Sequence, residues 1–187
     1  MSIASHKELQ AFLKQYPEIT MLELLMPDLN GILRCKRIPA SEFDSFLNHG
    51  VKGPESTVLL NVLGEFCQEL DFVMAEGDPD KLILPVANSL APITWLKSDT
   101  AQILATFAQL DGDPSEYDCR NALINALKPL YSMGLKPVVA TELEFYLMDG
   151  MSEETQRPRP PVLIEGHGRR LSETDCYSID EMDCLSA

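Results

Sequence analysis

The chain has 187 residues, 45% hydrophobic and 24% charged, enough apolar material for the core of one domain and part of a second. Its formal net charge of -14 repels phosphate backbones and anionic membranes. No stretch approaches the roughly 20 apolar residues needed to cross a bilayer, so nucleic-acid and membrane-spanning classes are set aside.

The start, MSIASHKELQ, shows neither an apolar signal core nor a small-residue cleavage site, and the expectation is a cytoplasmic protein. Ser5 followed by Glu8 forms a capping box, and Leu9, Phe12, Leu13 and Tyr16 recur behind it at helical spacing. A leader helix over 1–14 is predicted. The apolar run Ile19 to Met26, the turn residues Asp28-Leu29-Asn30-Gly31 and the extended run Ile32 to Ile38 predict a hairpin. Its second strand carries Arg34, Lys36 and Arg37, too small a basic group to hold a phosphate backbone against the overall charge.

After Pro39, Ser41 can cap a helix with Phe43, Phe46 and Leu47 as its apolar stripe, closed by Gly50. Strand, strand, helix is the opening of a β-grasp. Val58 to Leu63 and Leu82 to Val86 read as further strands, and the acidic stretch from Glu65 to Asp80 as solvated surface. Gln102 to Leu110 is again strand-like, and Asp111-Gly112-Asp113-Pro114 is a dense turn signal that closes the first domain. Asp118 then caps a helix carrying Leu123, Leu127, Leu130 and Tyr131, which Pro129 should kink or shorten. A strand from Val138 to Met148 follows, and the remaining forty or so residues show no period and read as a long loop.

The cysteines Cys35, Cys67, Cys119, Cys176 and Cys184 are odd in number, scattered and without a C-x-x-C pair. That pattern suits reduced, mostly buried thiols rather than a disulfide framework or structural zinc. His6, His49 and His167 are isolated.

Chemistry concentrates in the segment Val138 to Met148. Strand alternation sends Val139, Thr141, Leu143, Phe145 and Leu147 to one face and Glu142, Glu144 and Tyr146 to the other. The two glutamates would then sit with their Cα atoms about 6.5 to 7 Å apart. Paired carboxylates in an apolar strand raise each other's pKa unless a cation lies beside them, and their hard oxygens suit Mg²⁺ or Mn²⁺. By alternation alone, the solvated face of an open sheet is the commoner meaning of such a pattern.

Glu142-Leu143-Glu144-Phe145-Tyr146 resembles the E-x-E-F-aromatic metal-binding strand of the glutamine synthetase family. Asp28-Leu29-Asn30-Gly31 with Arg34, Lys36, Arg37, Ile38 and Pro39 resembles the family's D-L-N-G-x-x-R-G-K-R-I-P hairpin, with Cys35 where glycine is usual. Gly77 to Pro85 is similar to the G-x-P-D-x-x-x-x-P segment, and Arg120 to Leu123 to the R-x-x-L start of the first catalytic-domain helix. Asn61-Val62-Leu63-Gly64 and Tyr177-Ser178-Ile179-Asp180 resemble the glutamate-putrescine (γ-glutamylpolyamine) ligase branch, although Asn61 stands where that branch often has aspartate.

The resemblance implies an α+β fold, with a leader helix over 1–14, a β-grasp domain over 15–110 and the first helix and strand of an incomplete catalytic domain over 115–187. It implies an ATP-dependent ligase that joins glutamate to ammonia or a polyamine through γ-glutamyl phosphate. Mg²⁺ or Mn²⁺ would be held by Glu142 and Glu144 on separate metal positions, Tyr177 would lie near the amine, and the subunits would stack in rings. The family's other ligands and ATP contacts find no match within these residues, so the chain by itself is expected to be inactive. The alternative reading is a non-catalytic β-grasp module that associates with a full-length homologue.

Overall fold

The computed structural model of the chain describes residues 2–66, 77–95, 99–145, 148 and 159–160. Two compact units are distinguished, Met1–Pro137 and Val138–Ala187. The first is a mixed α/β unit whose strands form one six-stranded sheet.

Helix α1 spans His6–Gln15, and the Ser5 hydroxyl accepts from the Glu8 N–H at its start. The return arm of the expected capping box is spent elsewhere: the Glu8 carboxylate accepts from the Asn88 N–H at 2.7 Å, tying the helix to a distant loop. Leu9 is buried, and Phe12, Leu13 and Tyr16 pack against the core, so the apolar stripe is used as its spacing predicts.

Strands β1 (Met21–Pro27) and β2 (Leu33–Pro39) pair antiparallel, with Leu22 opposite Ile38 and Leu25 opposite Cys35. A short 3-10 turn, Ala40–Glu42, leads into α2 (Phe43–His49), whose Phe43 and Phe46 are buried. The expected cap at Ser41 is absent, since Glu42 stands at the cap position without a side-chain bond. Gly50 ends the helix at φ +68 and leads directly into β3 (Val51–Pro54).

Strands β4 (Asp80–Pro85), β5 (Ala91–Pro92) and β6 (Thr100–Ala108) complete the sheet, whose path runs β2-β1-β6-β4-β3, with β5 beside β6. β6 is central: it runs parallel to β1 over Thr100 to Leu104 and antiparallel to β4 over Ala105 to Ala108. Burial on both faces explains its near-continuous apolar run, in contrast to the edge strand β2, where only Ile38 is fully inside. Leu24, Ile38, Phe46, Ile83, Ile103 and Phe107 form the centre of the core between sheet and helices.

The expected strand from Val58 to Leu63 does not form. The chain makes a 3-10 turn over Glu55–Val58 and a tight loop closed by a bridge between Leu60 and Phe66. Asn61 is the cause, because its side-chain oxygen accepts from the Leu63 and Glu65 N–H groups and so takes the backbone out of ladder pairing.

Helix α3 (Cys119–Ser132) starts where the sequence predicts, at Asp118, and runs three residues past Pro129. Proline removes one N–H bond close to the exposed end of the helix, where losing it costs less than at a buried centre, and Gly134 at φ +74 then turns the chain away. Among the described residues of the second unit, 138–145 have no ladder partner, so the expected strand from Val138 to Met148 is not formed there. Among the described residues nothing pairs with the backbone of this segment or covers its apolar side chains, and Val138 is 98% exposed.

Gly50 yields a direct test of the helix-to-strand junction. A Cβ there would meet the Ile83 carbonyl oxygen at 2.8 Å and Leu84 Cδ2 at 2.9 Å, on a backbone already in the left-handed region. Gly50→Ala is expected to lower stability by about 1–3 kcal/mol, read as a lower urea midpoint with an unchanged slope.

Candidate functional site

The carboxylate pair of the sequence lies in the second unit. Glu142 and Glu144 are both exposed, and among the described residues neither has an ion-pair or hydrogen-bond partner. Leu143, between them, is 83% exposed and Phe145 75%. Two free carboxylates two residues apart are a donor set of the right chemistry for a hard divalent cation, with every lone pair available. They are also an incomplete set, and among the described residues no group of three or more histidine, cysteine, aspartate or glutamate side chains could hold a metal. Tyr146 and Tyr177 lie outside the described residues.

The hairpin motif turns out to be a folding device. The Asp28 carboxylate, with its side chain fully buried, accepts from the N–H groups of Asn30 (2.8 Å) and Ile32 (2.9 Å) and from Arg34 Nε (2.9 Å), with Arg34 Nη2 at 2.7 Å. Burial pushes this carboxyl up, but the bonds from Ile32, Arg34 and Asn30 outweigh it and hold it below the usual aspartate range. Gly31, at φ +78, lets the turn close on Asp28.

The other basic residues of the hairpin are likewise engaged. Arg37 makes an ion pair with Glu23, and Lys36 donates to the Lys52 carbonyl. A phosphate would have to displace these partners.

The loop Asn61 to Phe66 is joined to this turn, since Asn30 Nδ2 donates to the Leu60 carbonyl at 2.7 Å and the Leu29 N–H donates to the Val58 carbonyl. Asn61 is consumed within the loop: its oxygen braces Leu63 and Glu65, and its Nδ2 donates to Glu65 Oε2 at 3.2 Å. An aspartate at this position would instead face the Glu65 carboxylate. Cys35 is exposed on the edge strand and Cys119 partly covered, both free, and partial loss of hydration around each sulfur pushes its thiol up, with the Glu23 carboxylate adding to the rise at Cys35 and that of Asp118 at Cys119. Neither is a ready nucleophile at neutral pH.

One arrangement escaped the sequence reading. Beneath the start of α3, Asp118 is both helix cap and anchor to the sheet, accepting from Arg120 and Asn121 N–H on one oxygen and from Phe107 N–H (2.7 Å) and Thr106 Oγ1 (3.0 Å) on the other. Asn121 Nδ2 donates to the carbonyls of Phe107 and Ser115, and Ser115 donates its hydroxyl to Glu55. The cap was legible in the local pattern; Glu55 and Thr106 were not, because nothing within a few residues of either marks a partner sixty positions away for Glu55 and twelve for Thr106.

No family model matches the chain. It is similar to gamma-glutamylputrescine synthetase PuuA of Escherichia coli (strain K12), at 34% identity over 177 residues covering 95% of this chain and 37% of that protein. It is also similar to a glutamate–isopropylamine ligase of a Pseudomonas species, at 28% identity over 170 residues, 86% of this chain and 34% of that one. The chain thus spans about a third of the length of these curated relatives. Among solved structures it resembles GmaS bound to ADP (TM-score 0.52, 22% identity, 67% of this chain and 26% of that one). Ligand-free GmaS is similar at a TM-score of 0.53 and 21% identity, over 68% of this chain and 27% of that one. At that identity the two structures speak for the fold alone.

Proposed function

Because the chain belongs to the glutamine synthetase family and corresponds to the amino-terminal portion of its members, we propose that it is the amino-terminal part of an ATP-dependent glutamate–amine ligase. The likeness to gamma-glutamylputrescine synthetase over nearly the whole chain carries this reading. In it, the γ-carboxylate of glutamate takes the terminal phosphoryl group of ATP, and an amine then displaces phosphate to leave a γ-glutamyl amide. Putrescine, isopropylamine and ammonia are the candidate amines.

Residues 15–110 are read as the β-grasp domain of this family, supported by the β1–β2 hairpin, the helix α2 that follows it, and the parallel pairing of β1 with the last strand β6. Residues 115–187 begin the catalytic domain. Glu142 and Glu144 would hold Mg²⁺ or Mn²⁺, on separate positions, and their freedom from other partners among the described residues supports the assignment. A bound divalent ion supplies charge neutralisation on the transferred phosphoryl group and alignment of donor and acceptor. Tyr177 is proposed to stand near the amine, and the subunits to assemble in rings. Among the described residues no helix is long and apolar enough to cross a membrane.

With two carboxylates and, among the described residues, no further ligand set, the 187-residue chain alone is expected to form no γ-glutamyl amide from glutamate, ATP, Mg²⁺ and any of the three amines. Grafting the chain in place of the matching portion of gamma-glutamylputrescine synthetase is expected to give an ATP-dependent ligase. A grafted protein that assembles yet neither consumes ATP nor forms product would overturn the reading. The self-contained first unit keeps one other reading in view, a non-catalytic module that binds a full-length homologue; co-purification with such a homologue, without any gain in ligation from grafting, would favour it.

A further inference from the structure

Glu55 is 3% exposed, yet it carries an ionisable group into the polar layer between sheet and α3. It opens the 3-10 turn Glu55–Val58, directly after β3, and its Oε1 accepts the hydroxyl of Ser115. Ser115, itself fully buried, sits on the loop between β6 and α3, held by its N–H to the Phe107 carbonyl and by Asn121 Nδ2 on its own carbonyl. A single side-chain contact therefore joins two loops sixty positions apart in sequence.

The electrostatics of that contact are unbalanced. Among the described residues, the charged groups that act on Glu55 are Lys81 on β4, Asp78 on the turn before it, and Asp118 at the cap of α3, two carboxylates against one ammonium. Lys81 is partly engaged, donating to Gln109 Oε1 at 2.7 Å. Asp78 accepts from Ser56 Oγ at 2.6 Å through one oxygen, while its other oxygen is buried without a hydrogen-bond partner among the described residues. A third negative charge in this place has little to compensate it.

We propose that Glu55 is a proton-held latch: its neutral carboxyl fastens the 55–58 turn to the 113–118 loop, and its ionisation loosens that loop and the first turn of α3. Burial pushes the Glu55 carboxyl above the usual glutamate range; the Ser115 hydroxyl and Lys81 oppose the rise, Asp118 and Asp78 add to it, and burial prevails. A folded state that holds its proton more tightly than the unfolded chain has the resulting stability in full below the ordinary glutamate value, about 4.3. That stability is lost as the pH rises through the higher folded value. The loosening is expected to be local, because Glu55 is not a member of the apolar core around Phe46, Ile83 and Phe107.

Amide exchange of the 187-residue chain between pH 4 and pH 8, divided at each pH by the intrinsic rate, tests the latch. Protection at Ser115, Arg120, Asn121 and Ala122 is expected to fall on the order of tenfold as the pH rises, while the β1 amides keep theirs. Glu55→Gln, which keeps the acceptor for Ser115 and cannot ionise, is expected to abolish the pH dependence. The side-chain carboxyl carbon of Glu55 in the unaltered protein should titrate above ordinary glutamates, a measurement that needs no variant. Protection independent of pH, an equal pH dependence in Glu55→Gln, or a Glu55 midpoint at or below the ordinary glutamate value would each overturn the proposal.

Discussion

Replacing Glu142 or Glu144 by alanine in the grafted ligase is expected to lower kcat on the order of 10²- to 10³-fold per site, with thermal stability changed by no more than about 0.5 kcal/mol. The two expectations have separate grounds. Activity should fall because each carboxylate is assigned to a cation that neutralises the phosphoryl group in transfer, and removing a transition-state contact lowers kcat and kcat/KM together. Stability should hold because neither side chain has a hydrogen-bond or ion-pair partner among the described residues, so no buried contact is lost with it. Steady-state kinetics with Mg²⁺ varied, alongside a melting curve, separates the two effects. Alanine variants that keep wild-type kcat would remove both residues from the metal assignment.

Asp28→Ala is expected to destabilise the isolated chain by about 3–5 kcal/mol, enough to unfold a marginal domain at 37 °C. The alanine strands the Arg34 guanidinium, which had been neutralised by the buried Asp28 carboxylate, and leaves the Asn30 and Ile32 N–H groups of the turn without their acceptor. The pH dependence gives an independent check. Because the folded Asp28 carboxyl lies below the usual aspartate range, the stability it contributes is present above the unfolded value, about 4. It is lost as the pH falls through the lower folded value. Urea melts of the unaltered protein should therefore steepen in their loss of stability below pH 4, and the Asp28→Ala variant should lack that component. An unchanged urea midpoint at neutral pH would show that the ion pair is dispensable.

The same turn shows how a motif can be legible while its role is not. Asp28, Gly31 and Arg34 stood out in sequence as a recurring pattern, and the pattern is real, but its carboxylate and guanidinium are spent on each other and on the turn's own N–H groups. Asn61 is the converse: it interrupts an apolar run that otherwise reads as a strand, and its side-chain oxygen, by taking two backbone donors, makes a loop there instead. Pro129 marks a further boundary case, where the local rule of a broken helix is weakened because the break falls within the last exposed turn.

The sequence by itself determined the local events. These include the Ser5 and Asp118 caps, the hairpin around Asp28 to Gly31, helix α2 ending at Gly50, the strands β4 and β6, and the spacing of Glu142 and Glu144. Each depends on contacts within a few residues, where side-chain periodicity and backbone propensity decide the outcome. Only the tertiary structure decided that β1 runs parallel to β6, that Glu8 turns from its own helix to Asn88, and that Glu55 meets Ser115. Those contacts join residues sixty to eighty positions apart, and no local preference fixes which distant group will arrive to satisfy a buried polar atom. The exposed segment from Val138 to Phe145 obeys the same division: its alternation is written locally, but a strand exists only when another backbone pairs with it.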